Sequence, residues 1–406
     1  MTAMTRRALA LSLLCASFAA SGQAATFEQP PSYSPAALGA NWKGGNYTVE
    51  APIPSDGFLR HYRIRTPYGI VEATGDQLAS ARIRELNAIQ ALSTTSGAQQ
   101  FGKGVANTAM GPVVFAGNLL RNPVGTTTST VQGVGQVIGG IGSGIQNMGK
   151  SRDGTVESVT GQAKQKRVLA AKLGVDPYTD FPPLAARLNE LSGAEAFGNL
   201  AVSGALFFAP GAAGLAVSNV SAANTLGTLA TDYSSAQLMD RNRAKLGQLG
   251  VDPSVANALF ANPRYTPLDV TAMVEAAATT GATANLGPML ARAASADDRA
   301  TAYFIRKRME LTAAQARASG AMTGYLGDES LRFPLVRTSA GGVLGAYPID
   351  ILSWTPETAN IVEGLTTQAR NAGAKSRTFA ITGTATPLAR RNLEAAGWTV
   401  KERARF

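Results

Sequence analysis

The stretch from Gly97 to Lys150 limits what this chain can fold into more than any other. It is dense in glycine and holds no charged residue between Arg121 and Lys150. Val131, Val134, Ile138, Ile141, Ile145 and Met148 recur there at spacings of three and four, the seam of a helix that packs on another helix. Gly135, Gly139 and Ser143 fall four apart beside that seam, as do Gly140 and Gly144. Small residues at such spacing let two helix backbones approach closely. Each glycine costs a helix roughly 1 kcal/mol relative to alanine, so the segment needs a partner to hold it. The partner is another part of the chain, a second copy or a membrane.

Location follows from the other end of the sequence. Met1–Ala25 reads as a secretory signal peptide. Arg6 and Arg7 form its positive start, Ala8–Ala20 its apolar run, and Gly22-Gln23-Ala24-Ala25 offers small residues for cleavage. The run is short for a membrane span. Its removal takes away Cys15, the only cysteine, and with it disulfides, thiolate catalysis and cysteine-based zinc sites. The formal charge of +10 falls by the two arginines lost and stays positive. The expected location is extracytoplasmic, periplasmic or secreted, with membrane association. The anionic partners expected there are lipid headgroups, lipopolysaccharide or cell-wall polymers, and no nucleic acid is expected.

The chain of 406 residues is long enough for more than one domain. After the signal peptide, 1–25, a Pro- and Ser-rich linker covers 26–45. A small β-meander plus helix follows over 46–95. Its strands are Asn46–Ala51, Phe58–Thr66 and Ile70–Thr74, with turns at Ser55-Asp56-Gly57 and Pro67-Tyr68-Gly69. Its helix starts at Asp76 as N-cap and buries Ile83, Leu86 and Ile89. Residues 96–150 form the Gly-rich apolar helical segment, read as a hairpin whose first arm is Gly104–Leu120.

Residues 151–320 read as helical. The pentapeptide Leu-Gly-Val-Asp-Pro occurs twice, at Leu173–Pro177 and Leu249–Pro253. In each copy Gly ends one helix in the left-handed conformation, Asp caps the next and Pro takes its first turn. Between the copies lies a second uncharged run, Ala196–Thr231, expected to turn at Pro210-Gly211. Thr266-Pro267-Leu268-Asp269 opens one further helix with a capping box, and Ser295–Asp298 opens another. The C-terminal α/β domain, 321–406, has strands at Leu331–Arg337 and Val343–Leu352. A helix from Thr355-Pro356, a strand at Arg377–Ile381, a helix from Thr386-Pro387 and a strand at Trp398–Arg403 complete a ββαβαβ order. The fold class expected is α+β, mainly α.

Few residues carry recognisable chemistry. Gly144–Ser151 matches the phosphate-loop pattern of NTPases letter for letter. That resemblance implies that Lys150 holds phosphate and Ser151 binds magnesium. The context opposes it, because a helical seam rather than a strand precedes the loop, and Asp153-Gly154 breaks the helix that should follow. No nucleotide is expected. His61, the only histidine, shares a strand face with Arg63 and Arg65 and reads as a solvated basic surface. No metal-ligand spacing and no Gly-x-Ser-x-Gly elbow is present, and neither a metal, a cofactor nor a catalytic residue is assigned. The most site-like place is the loop Thr382-Gly383-Thr384-Ala385-Thr386 with Arg390 and Arg391 on the helix that follows. Ligands of open α/β sheets bind beyond the carboxyl ends of strands, and helix starts attract anions. Asp350 faces the same crevice if the sheet order permits.

Segment Val131–Met148 resembles the glycine zippers of some bacterial envelope proteins. Together with the export signal, it implies an exported cell-envelope protein, non-enzymatic, whose helices self-associate or contact a membrane. Two alternatives are a C-terminal domain that binds or acts on an anionic small molecule or polymer, and a pore-forming or toxin-like protein.

Overall fold

The computed structural model describes residues 27–38, 42–93, 161–192, 220–326 and 333–406. The expected signal peptide, the seam Val131, Val134, Gly135, Ile138, Gly139, Ile141 and Ile145, the arm Gly104–Leu120, the phosphate-loop match Gly144–Ser151 and the turn at Pro210-Gly211 lie outside the described residues. Helix outweighs strand, and the chain is α+β, mainly α.

The N-terminal part holds β1 (Ser32–Tyr33), β2 (Thr48–Val49), β3 (Ile53–Pro54), β4 (His61–Thr66) and β5 (Gly69–Thr74). Strands β2, β4 and β5 form an antiparallel meander in that order. The period of two is plain in β4, where Tyr62 and Ile64 are buried and Arg63 and Arg65 are exposed. Arg63 and Arg65 both pair with Glu50. β1 pairs antiparallel with β3, so part of the segment read as a linker is docked on the body. A two-residue strand beside prolines carries no periodic signal, and the sequence pattern passed over it. α1 (Asp76–Ser93) then lays Leu86, Ile89 and Leu92 against the meander.

The middle of the chain holds α2 (Gln162–Lys172), α3 (Pro182–Ser192), α4 (Val220–Asp232), α5 (Ser235–Gln248), α6 (Pro253–Ala261), α7 (Pro267–Thr280), α8 (Leu286–Ala294) and α9 (Arg299–Ser319). The two pentapeptide copies end α2 and α5 in the same way. Gly174 and Gly250 take φ of 66° and 75°, and the Val175 and Val251 amides reach back to the Ala170 and Leu246 carbonyls, each at 3.0 Å. The copies then part. Asp252 caps α6 by accepting from the Ser254 amide at 2.7 Å. Asp176 accepts from the Tyr178 amide at 2.8 Å in a turn, and α3 starts only at Pro182. The expected corner is corrected there. The second Asp176 oxygen is taken by the Thr266 hydroxyl at 2.5 Å, and Pro182-Pro183 supplies a better first turn. The capping box at Thr266 and Asp269 forms as read.

The C-terminal part holds β6 (Met322–Leu326), β7 (Leu335–Thr338), β8 (Val343–Tyr347), β9 (Ile351–Leu352), α10 (Pro356–Asn371), β10 (Arg377–Ile381), β11 (Thr384–Ala385), α11 (Pro387–Ala395) and β12 (Thr399–Lys401). One sheet runs β12-β10-β8-β7-β6, with β8, β10 and β12 parallel and β6, β7 and β8 antiparallel. Thr355 and Thr386 cap α10 and α11. β6 adds an edge strand to the expected ββαβαβ order. The strand expected over Val343–Leu352 is broken at Pro348, which has no amide to offer the ladder, and its end, β9, pairs with β11 in a separate parallel pair.

Three cores result. On one face of the main sheet, Tyr347, Phe379 and Ile381 pack with Leu365 and Leu393 of α10 and α11 and with Phe58. On the other, Leu344, Ala346 and Ala380 pack with Leu311 and Ala313 of α9. A third core joins Ile64 of the meander to Ile89 of α1, Leu169 of α2 and Leu188 of α3. Each large side chain fully buried in this way contributes about 1.5–3 kcal/mol.

Candidate functional site

The parallel pairing of β8 with β10 sets Asp350 beside the loop Thr382–Thr386 at the carboxyl ends of the strands. Backbone lies on backbone there. A Cβ added to Gly383 would stand 1.8 Å from the Asp350 carbonyl oxygen, so no side chain fits. Every amide of the loop donates within the protein. Thr382 reaches Tyr347 O at 3.3 Å, Gly383 reaches Ile349 O at 2.7 Å, and Thr384 reaches Asp350 O at 3.3 Å. The Thr386 amide reaches Leu352 O at 2.9 Å. The Ala385 amide donates to the Glu402 carboxylate at 2.8 Å.

The start of α11 is occupied by carboxylates of the chain itself. The Thr386 hydroxyl accepts from the Ala389 amide and donates to the Glu28 carboxylate, which also accepts from the Trp354 amide at 2.5 Å. Arg390 donates to Glu402 at 2.6 Å. Of the loop and helix residues, Thr386, Arg390 and the Ala385 amide engage two of the chain's own carboxylates, whereas Thr382, Gly383 and Thr384 bond to main-chain carbonyls. Arg391 is exposed and joins none of these bonds.

A cluster that the sequence did not mark lies directly behind this loop. Asp350 is 2% exposed. Its Oδ2 accepts from the Arg60 amide at 2.9 Å and from the Asp76 amide at 3.0 Å, while Oδ1 is buried without a hydrogen bond. Asp350 therefore serves as the cap of α1 from a distance of 274 residues in sequence. Asp76, read as the cap, uses its side chain elsewhere. It accepts from Arg60 at 2.6 Å and from the Tyr62 hydroxyl at 2.5 Å. Burial, followed by the charge of Asp76, pushes the Asp350 carboxyl well above the usual carboxylate range, against the pull of the Arg60 amide and guanidinium. The same burial and the same two carboxylates push the Tyr62 phenol up. Burial pulls the Arg60 guanidinium down, and the two carboxylates more than offset it.

A second ionic network ties α1 to α9. Arg82 holds Glu85 and Asp180, Arg299 holds Asp180 and Asp269, and Arg306 holds Asp269 and Glu310. Burial raises the Asp269 carboxyl, but Arg299 and Arg306 overcome this and hold it well below the usual range. Asp176, buried beside the Asp269 charge, is pushed up to about 6. His61 is partnered rather than free, with Asp56 at 3.1 Å and the Thr74 hydroxyl at 3.4 Å.

These arrangements fasten elements together and hold charge in place. Among the described residues no group of three or more His, Cys, Asp or Glu is placed to hold a metal ion, and no helix is long and apolar enough to cross a membrane. Compared with known proteins, the chain matches no family model, no curated protein and no solved structure.

Proposed function

We propose that this is an exported cell-envelope protein without enzymatic activity, in which an α+β body carries two sparsely charged, small-residue-rich segments that self-associate or contact a membrane. One observation carries the reading. Segments 94–160 and 193–219 leave and re-enter the body through α1, α2, α3 and α4, and those helices are fastened to one another. Leu92, Leu169 and Leu188 of α1, α2 and α3 share one core. Arg187 of α3 donates to the Leu92 carbonyl in the last turn of α1 at 2.8 Å, and Arg167 of α2 donates to the Thr231 carbonyl of α4 at 3.4 Å. That both segments join helices of one cluster supports a reading in which they act together.

The engagement of the Thr382–Thr386 amides by Glu402 and neighbouring carbonyls, and of the Thr386 hydroxyl by Glu28, favours this reading over a small anion held in that loop. Cell fractionation tests it. The protein is expected in the envelope fraction, retained through a salt wash and released by detergent. A monomer wholly soluble in the periplasmic extract overturns it. Leakage of dye from liposomes on adding the protein would shift the assignment to a pore-forming role.

A further inference from the structure

β12 is the outer strand of its sheet, and the chain runs beyond it to Phe406. Lys401, Arg403 and Arg405 are exposed, whereas Ala404 and Phe406 are buried. The tail is fixed in place. The Arg403 and Ala404 amides donate to the Gly383 and Ile381 carbonyls, both at 2.9 Å, and the Lys307 ammonium sits 4.4 Å from the centre of the Phe406 ring. On α11, Ala389 and Leu393 are fully buried, which turns Arg391 outward. Among the described residues the guanidinium groups of Arg391, Arg403 and Arg405 have no acidic or hydrogen-bonding partner. Glu402 is taken by Arg390 and the Ala385 amide, and Glu394 on α11 makes no ion pair with the three.

A charge on an edge strand guards it against pairing with other chains, and Lys401 suffices for that. Such protection does not account for Arg391 on the helix, or for Arg403 and Arg405 beyond the last paired residue of β12. These are exposed cations without a partner among the described residues, on α11 and on the tail that follows β12, in a chain whose formal charge is +10.

We propose that the edge formed by α11 and the C-terminal tail docks on acidic phospholipid headgroups. The inference rests on the reading that the protein works at an envelope membrane. Guanidinium groups carry a fixed positive charge and frequently pair with phosphate oxygens bidentately. A nucleic acid offers phosphates too, but binding to its single strands uses exposed aromatic rings that stack on bases. The rings nearest this edge, Trp398 and Phe406, are buried.

Co-sedimentation of the full chain with vesicles tests the proposal. The vesicles are pure phosphatidylcholine, or phosphatidylcholine mixed equally with phosphatidylglycerol. Each arginine near an anionic surface strengthens partitioning about fivefold, so replacing Arg391, Arg403 and Arg405 by alanine should weaken binding to the mixed vesicles about a hundredfold. High salt should bring the natural chain to the same level. The triple replacement by lysine should keep most of the binding, and Arg391→Glu alone, on an exposed helix face, should lower it more than fivefold. Equal, salt-insensitive binding to both vesicle types overturns the docking edge while leaving membrane contact through the apolar segments in force. Binding to neither type overturns membrane contact itself, and the docking edge with it. Oligonucleotide binding as tight as binding to mixed vesicles, lost in the same variant, reassigns the edge to nucleic acid.

Discussion

At the scale of single residues, the loop between β10 and α11 depends on Gly383. Its backbone lies against that of Asp350, and backbone cannot move aside as a flexible side chain does. Gly383→Ala should destabilise the protein by about 3 kcal/mol or more, read as a loss of thermal midpoint. Asp350 gives a prediction in pH. Its carboxyl is raised in the folded state by burial and by Asp76, so the fold favours its protonated form. That contribution is fully present below about pH 4, where the unfolded chain also holds the proton. It is lost as pH rises through the folded-state value. Asp350→Asn keeps an oxygen for the Arg60 and Asp76 amides and cannot ionise. The stability of the natural chain relative to the variant should therefore fall as pH rises from about 4. A difference independent of pH would contradict the assignment. The sequence suggested that Asp350 faces this crevice, but not that it caps α1. Long-range capping leaves no local spacing to read, and Asp76, the local candidate, binds Arg60 and Tyr62 instead.

At the scale of elements, the signals that were legible were the ones with a mechanism inside a few residues. Thr355-Pro356 and Thr386-Pro387 start their helices, and Gly373 and Gly397 follow them with φ of 63° and 84°. Thr355→Ala should cost about 1 kcal/mol through the lost cap, measured by denaturant titration with an unchanged slope. What could not be read locally was what tertiary contacts decide. Both Leu-Gly-Val-Asp-Pro copies end a helix alike, yet only Asp252 starts the next at once, because Asp176 is drawn to Thr266. β1, β9 and β11 are two-residue strands defined by their partners alone. The ionic network between α1 and α9 was equally hidden, since its members are far apart in sequence. Asp269→Ala should destabilise by about 3 kcal/mol, because it takes one carboxylate from each of two buried arginines and leaves Arg299 with Asp180 and Arg306 with Glu310. The Asp269 carboxyl is depressed in the fold. The stability it contributes is therefore present above about pH 4 and is lost as pH falls through the folded-state value.

At the scale of the whole molecule, the described elements form a body in which the N-terminal segment, the helices and the C-terminal sheet share cores and charges. Phe58 packs into the core of the C-terminal sheet, and Tyr303 of α9 into that of the meander. The anion-seeking loop at α11 is closed by Glu28 and Glu402. The fold thus directs attention to the helix cluster from which segments 94–160 and 193–219 depart. Their high glycine content makes isolated helices weak in water, so on the proposed reading close contact with protein or lipid holds them. Single cysteines test this most directly. Placed in a Cys15→Ser background at Val134, Ile138, Ile141 and Ile145, and at Gln136 and Gln146 for contrast, they are offered a water-soluble thiol reagent. The account predicts slow labelling at the seam positions and fast labelling at the glutamine positions. Uniformly fast labelling at every position would contradict it.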